Sequence, residues 1–451
     1  MKVLLISANK ETAPYPVYPL GLDYVAGAIK DKHRVRIADM NPLKTADALV
    51  EDLGTFAPDM IGISIRNVDN TDVCDPKSFT ADYQALIRHI RQHTSAPIVL
   101  GGSGFNIFPR EMLEHLGADY GIIGEGERFA QFVEAWQENR DCRQVPGVIK
   151  RGCQPGNGMP PPWQGRLKRH FTPDMPHVTH YLDHGGMLNL QTKRGCHFNC
   201  IYCTYPLIEG RRLRLIPPAE AAETAYRLQA AGARYLFITD STFNADPEHS
   251  MAVARAFKTI GIRIPWGAYI APARMPADYF SVMADAGMTH IEFGTDAFSD
   301  PILENYQKPF RAADIFDAHQ KALDAGIYTA HFFLLGAPAE TRQTLMETLE
   351  NAASLKRTVC FFFSGIRIYP DTPIHEMARA AGKLPAGQDL MTPCFYSPEG
   401  ISLSEIEQIA ADWANPRINW VFGSGGDATA EIIHRLHARG KSGPLWEYLI
   451  R

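Results

Sequence analysis

The sequence is notable first for what it lacks. No apolar run approaches the roughly 20 residues that cross a bilayer, so no membrane span is expected. Neither sign of charge dominates: 45 Lys and Arg stand against 50 Asp and Glu, a formal net charge of −5. A nucleic-acid partner usually needs a concentrated basic face, and none is expected here. There is no short-period repeat and no low-complexity tract. The opening "MKVLLISANKE" has no small-residue cleavage site and reads as a first strand rather than a signal peptide. Nothing argues for export, so the expected compartment is the reducing cytoplasm, where cysteines stay unpaired. Five of the eight cysteines (Cys74, Cys142, Cys153, Cys360 and Cys394) are scattered and read as small buried or surface thiols.

With 451 residues the chain exceeds one typical core and suggests two or three domains. Its first part alternates short apolar runs ("VLLISA", "RVRIAD", "MIGISI", "PIVLGG", "YGIIGEG") with amphipathic stretches such as "GLDYVAGAIKD". That rhythm predicts an α/β, Rossmann-like doubly wound parallel sheet over 1–140. Ligands in such sheets bind beyond the carboxyl ends of the strands, at "SANKETAPYPVYP", "SIRNVDN", "GGSGFNIFP" and "GEGE". From 141 to 181 the periodicity fails in a Pro- and Gly-rich stretch that reads as a linker. A second alternation runs from 182 to 375, with strands at "GMLNLQT", "YLFITD", "IPWGAYI", "HIEFGTD", "TAHFFLLG" and "FFFSGIRIYP". Six such units suit a partial TIM-like barrel with its chemistry at the C-terminal strand ends. Residues 376–451 read as a mainly helical region.

The remaining cysteines are packed into eight residues of "TKRGCHFNCIYC". Cys196, Cys200 and Cys203, spaced C-x3-C-x2-C, suit zinc or an iron–sulfur cluster. A structural zinc site closes with a fourth protein ligand, and His197 is too near Cys196 in sequence to serve without strain. The loop also follows the first barrel strand, at the face where chemistry is expected. A [4Fe–4S] cluster on three thiolates would leave one iron free for a substrate or cosubstrate.

This motif, with Tyr202 before its last cysteine, resembles the signature of the radical S-adenosylmethionine superfamily. The resemblance implies that the amino and carboxylate groups of S-adenosylmethionine chelate the open iron. One electron then cleaves the sulfonium to give a 5′-deoxyadenosyl radical. It also implies an external one-electron reductant such as flavodoxin or ferredoxin. By the same likeness, Asp240, Ser241 and Asn244 in "FITDSTFN" lie near the methionyl group, and Asp296 in "EFGTDAF" near the ribose or methionyl group. Gly336 in "FFLLGAPAET" lies along the adenine, and Tyr369 in "IRIYPDTP" and Tyr202 face it. Arg211, Arg212 and Arg214 read equally as anion ligands or as a solvated charge run. Cys360 or Cys394 is a candidate auxiliary hydrogen donor or base.

A Rossmann-like domain ahead of such a barrel resembles the cobalamin-dependent branch of that superfamily. The resemblance implies cobalamin as a third cofactor, with Ser64, Gly101, Gly102 and Gly124 beside it and Arg66 toward the lower corrin face. The D-x-H-x-x-G motif of classical cobalamin proteins is absent, so no imidazole from that motif is expected on cobalt. The implied activity is methylation of an unactivated carbon of a small molecule. Cyclisation, ring contraction, oxidation or elimination on the same architecture is the alternative, including with a degenerate first domain that props up the barrel without binding cobalamin. A non-catalytic sensor or carrier is a third reading. Aromatics at strand ends (Trp266, Tyr269, Phe293, Phe298) are expected to lead into the substrate cavity.

Overall fold

The computed structural model describes residues 1–12, 16–153, 160–165, 167–423 and 426–450. Parts of two segments singled out above, 13–15 in "SANKETAPYPVYP" and 154–159 and 166 in the linker stretch, lie outside the described residues.

The first sheet has the order β2-β1-β3-β4-β5-β6. Its strands are β1 (Lys2–Ser7), β2 (Arg34–Asp39), β3 (Met60–Ser64), β4 (Ile98–Gly101), β5 (Tyr120–Ile122) and β6 (Val148–Lys150). The first five pair in parallel. Central β1 is a continuous apolar run because both its faces are covered. Leu4 and Ile6 pack toward one helical layer and Val3 and Leu5 toward the other. The sequence offered no sixth strand: β6 comes from the stretch read as linker and joins β5 antiparallel. Its residues 148–150 are too few to show a period.

The second sheet has seven parallel strands, β7 (Met187–Leu190), β8 (Tyr235–Ile238), β9 (Trp266–Ile270), β10 (Met288–Asp296), β11 (Tyr328–Leu335), β12 (Thr358–Ser364) and β13 (Trp420–Phe422). They lie in chain order from β7 to β13, an open barrel wall. The seventh strand belongs to the region read as helical. Its three residues extend the wall beside β12. No helix among the described residues is long and apolar enough to cross a membrane.

The two sheets are tied by buried ion pairs. Arg169 donates to Asp23 of the helix Leu20–Ile29 at 2.7 Å and to the carbonyl of Asn189 in β7 at 2.8 Å. Arg367 donates to Asp69 at 2.8 Å, across 298 positions of chain. Both pairs lie almost fully out of water. They orient the strand ends of one sheet toward those of the other.

Candidate active site

A cleft opens beyond the carboxyl ends of β1, β3 and β4. Ser64, Gly101, Gly102 and Gly124 all line it, as do Gln191, Arg194 and Glu209 from the barrel side. Gly102 has φ +103°, and a Cβ there would sit 2.5 Å from the carbonyl oxygen of Ile65, so only glycine fits. Asn106 holds Gly124 from both sides, accepting from its amide at 2.9 Å and donating to its carbonyl at 3.1 Å. A Cβ on Gly21 would meet nothing within 4 Å, and one on Gly101 only a carbonyl at 3.8 Å. Glycines thus form part of a wall that is otherwise apolar, with Leu20, Val25 and Phe129, where a large planar group with a nucleotide tail would lie. No histidine lines the cleft. Arg66 is not on its wall either. Its side chain is exposed, without hydrogen bond or ion pair among the described residues, and its charge acts on Tyr205 and Tyr269 at the barrel mouth.

The cysteine loop leaves β7 under tight control. Asp240, buried at the end of β8, accepts from the amide and hydroxyl of Thr192 at 2.8 and 2.5 Å and from the amide of Lys193 at 3.3 Å. Burial pushes its carboxyl up to about 6, against the pull of Lys193 and Thr192. Lys193 donates to Ser241 at 2.9 Å and to the carbonyl of Gly195 at 3.1 Å. On the other side Glu209 accepts from the amide of Gly195 at 2.9 Å. Asp240 and Ser241 therefore spend their polar atoms on aiming the loop.

Cys196 is buried, and Cys200 and Cys203 are half-buried. Burial pushes the Cys203 thiol up to about 12 and raises that of Cys200, and the neighbouring thiols add to both shifts. Lys308 opposes them. It is buried, hydrogen-bonds Cys200 and forms an ion pair with Asp296, which also accepts from the Tyr202 hydroxyl. Asp296 reaches this position from a left-handed backbone, φ +59°, uncommon for a non-glycine residue. Among the described residues no three Cys, His, Asp or Glu side chains already converge as a metal ion would require. The donor chemistry nonetheless suits an iron–sulfur cluster: three thiols on one loop, beside a buried cation that favours thiolates.

Other expected residues are placed differently. Asn244 bonds both backbone groups of Ala271, the amide at 2.9 Å and the carbonyl at 2.8 Å, and so joins the ends of β8 and β9. Gly336, φ +98°, follows β11 and donates to Glu340 at 3.3 Å. The Tyr369 side chain turns to the first domain, its hydroxyl 3.3 Å from Asp69 and its ring under Arg367. Trp266 and Phe293 are core residues packed against helices because their strand positions face outward, and Phe298, in the turn after β10, is fully buried in the outer core, so none of the three leads into a cavity. Tyr269 faces the interior. Cys360 is fully buried in the core behind the wall, out of reach of a substrate there. Cys394 is half-buried beside the segment Ile366–Arg367.

Of the arginine run, Arg211 donates to Asn199 at 2.6 Å, and Arg214 pairs with Glu125 at 2.7 Å. Arg194 was not singled out, yet it is the hinge of the site. It pairs with Glu125 at 2.7 Å and Glu127 at 2.6 Å, and its guanidinium lies 4.9 Å from the Tyr24 ring centre. Burial would raise the Glu125 carboxyl, but Arg194, the Trp163 amide and Arg214 outweigh it and hold it low. The sequence signal was available: two acids in "GEGE" at a strand end, and a basic residue two positions before the first cysteine. Lys308 gave none, lying in an undistinguished "NYQKPF".

Comparison with known proteins agrees with this layout. The B12 binding domain family matches residues 6–133, and the Radical SAM superfamily matches residues 190–352. Tryptophan 2-C-methyltransferase of Streptomyces laurentii is 25% identical over 381 residues, 69% of this chain. The chain spans 63% of that relative's length. An uncharacterized methyltransferase of Pyrococcus horikoshii is 26% identical over 393 residues, covering 84% of this chain and 83% of its own. The structure of the radical S-adenosylmethionine methyltransferase TsrM from Kitasatospora setae, with tryptophan substrate and a SAM analog bound, superimposes with a TM-score of 0.90. The match covers 99% of this chain and 97% of that one at 22% identity, a likeness of fold. The two family matches occupy the two sheets that meet at the cleft and the cysteine loop, so the chain carries a domain of the Radical SAM superfamily over 190–352 behind a B12 binding domain over 6–133.

Proposed function

We propose that this chain is a cobalamin-dependent radical S-adenosylmethionine enzyme that methylates a carbon of a small-molecule substrate. The observation that carries the reading is Arg194. It lines the cleft of the first domain, pairs with that domain's Glu125 and Glu127, and stands two residues before the first cysteine. One buried guanidinium thus fixes the distance between the place for a corrin and the place for a cluster.

When bound, the cluster supplies an electron to S-adenosylmethionine and cobalamin carries the methyl group. Cys196, Cys200 and Cys203 would hold the cluster. Lys308 compensates the charge of the thiolates, and Tyr202 and Asp296 fix Lys308 in place. Asp240 and Ser241 set the direction of the loop and so act through it. Ser64, Gly101, Gly102 and Gly124 shape the bed of the corrin and its tail. The substrate would enter from the barrel mouth and the reductant, a small electron carrier, would dock outside.

The test is anaerobic reconstitution of the full chain with iron, sulfide and hydroxocobalamin, followed by S-adenosylmethionine labelled in its methyl group. We expect the visible absorption of cluster and corrin together, and label carried into product. A Cys196→Ala variant should lose the cluster absorption and label transfer while keeping the corrin bands. Product formed without label would overturn methylation in favour of cyclisation, oxidation or elimination.

A further inference from the structure

The interior of the barrel is built differently from its outer face. Along β10, Ile291 and Phe293 are buried against the helices, so the alternate residues His290, Glu292 and Gly294 face inward, and a bulge between Gly294 and Asp296 interrupts the alternation. The same alternation on β11 and β12 turns Phe332, Phe361 and Phe363 inward. All three are only half-buried, whereas the outward Phe333 and Phe362 are fully buried. On β9, Tyr269 stands opposite Glu292 in the register and is 40% exposed, although it is deep in the wall. Side chains in a filled barrel would show the reverse. Phe332 and Phe361 pack in part against the Trp446 cluster at the bottom, while Phe363 and Tyr269 keep accessible faces, which leaves the upper half of this interior accessible between aromatic side chains.

Its floor carries a charge. Glu292 is 3% exposed, and its only hydrogen-bond partner among the described residues is the indole N–H of Trp446, at 3.1 Å on one oxygen. The other oxygen has none. That oxygen is not sealed off: Glu292 is not among the described residues with a fully enclosed polar atom lacking a partner, so the oxygen keeps access to the interior space. Directly above it Gly294 opens the way, since a Cβ there would meet nothing within 4 Å. Above Gly294 is Asp296, beside the cysteine loop. Because of the bulge after Gly294, Glu292 and Asp296 are opposite Ala330 and Phe333, three strand steps apart, or about 10 Å at about 3.3 Å per residue. Tyr269 adds a hydroxyl with no hydrogen-bond partner among the described residues.

We infer that Glu292 is the specificity-determining residue of a substrate slot for a flat, largely aromatic molecule whose far end bears a protonated amine or another strong N–H donor. The inference rests on the reading above that the reacting groups gather at the barrel mouth. The aromatic walls take the planar body, Gly294 leaves room along β10, and the free oxygen of Glu292 takes the donor. The reacting carbon is then at the opposite end, level with Asp296. A molecule ending in a carboxylate is rejected, because it would bring a second anion to a buried one.

The test is calorimetric binding at pH 8 to the reconstituted full chain, with 2-naphthylmethylamine, 2-naphthylmethanol and 2-naphthoic acid as probes. They share one flat body and differ in the end group. We expect the amine to bind at least about tenfold tighter than the acid. Glu292→Gln should weaken the amine by about tenfold and leave the alcohol within about twofold. Gly294→Leu should fill the slot and abolish binding of all three, with an unchanged melting temperature as the check on folding. Equal affinity for amine and acid, an unaltered preference in Glu292→Gln, or no binding of any probe to the wild-type chain would each overturn the assignment. Label transfer separates the two proposals. Lost transfer with amine selection intact sinks methylation alone, and intact transfer without amine selection sinks the role of Glu292 alone.

Discussion

A carboxyl group shut away from water without a cation holds its proton to higher pH than one at the surface, and Glu292 is such a group. Burial pushes it from an ordinary 4.5 up to about 7, with the Trp446 hydrogen bond acting weakly the other way. Among the described residues its surroundings contain no fixed positive charge to offset this: Tyr235 from β8, Tyr269 from β9, His290 from its own strand and Trp446 and Glu447 from the C-terminal turn. The folded-state value lies above the unfolded one, so the contribution to stability is full below about 4.5 and disappears as pH rises through 7. Glu292→Gln mimics the protonated form. It should match the wild type near pH 4.5 and exceed it at pH 8 by at most about 3.5 kcal/mol, at about 1.4 kcal/mol per unit. Urea midpoints of both proteins at the two pH values check this, and a gap that does not change with pH would contradict it. An amine in the slot should reverse the trend, because it favours the ionised form.

At the scale of elements, one substitution should have opposite effects at two glycines. Gly54 lies within the helix Leu49–Phe56, and a Cβ there would meet nothing within 4 Å. Gly54→Ala should stabilise by about 0.5–1 kcal/mol through helix propensity and a less flexible unfolded chain. Gly27 lies within the helix Leu20–Ile29, but its Cβ would fall 2.0 Å from the carbonyl oxygen of Lys168. Gly27→Ala should therefore destabilise by about 1–3 kcal/mol despite the same propensity gain. Thermal melts of the two variants decide the sign. This contrast also shows which features a sequence discloses. Both helices are legible from their apolar periodicity, as are the long strands and the cysteine loop, because each is a pattern of neighbouring residues. That Gly27 touches the segment read as linker is a matter of packing between distant stretches, which no local period records. The three-residue strands β6 and β13 escape for a related reason. They are too short to alternate and exist only because a longer strand presents an open edge.

At the scale of the whole molecule, the site depends on two sheets meeting in a fixed attitude, and the contacts that fix it are charged. Asp23 with Arg169, Asp69 with Arg367, and Glu125 and Glu127 with Arg194 are all buried, and each joins a loop or helix of the first sheet to the barrel or its approach. Buried ion pairs add little net stability over a well-packed apolar pair, but breaking one strands a charge, which makes them strict about geometry. The sequence marked Glu125, Glu127 and Arg194 only as charged residues at the ends of their strands; which charge meets which was not legible, because the partners stand 67 to 298 positions apart. The Asp69–Arg367 pair allows the idea to be tested. Arg367 also donates to the carbonyls of Ile368 and Leu390 at 2.6 Å, so its removal leaves more than one group unpaired. Arg367→Met alone should cost about 3–5 kcal/mol, and Asp69→Ala alone a comparable amount. The double variant should be less damaged than the sum by about 1–3 kcal/mol, the coupling expected when each single change abandons the other's charge. Urea unfolding followed by tryptophan fluorescence measures all four corners of the cycle. If the losses simply add, the pair does not set the attitude of the two sheets, and the distance from cleft to cysteine loop must be held by packing instead.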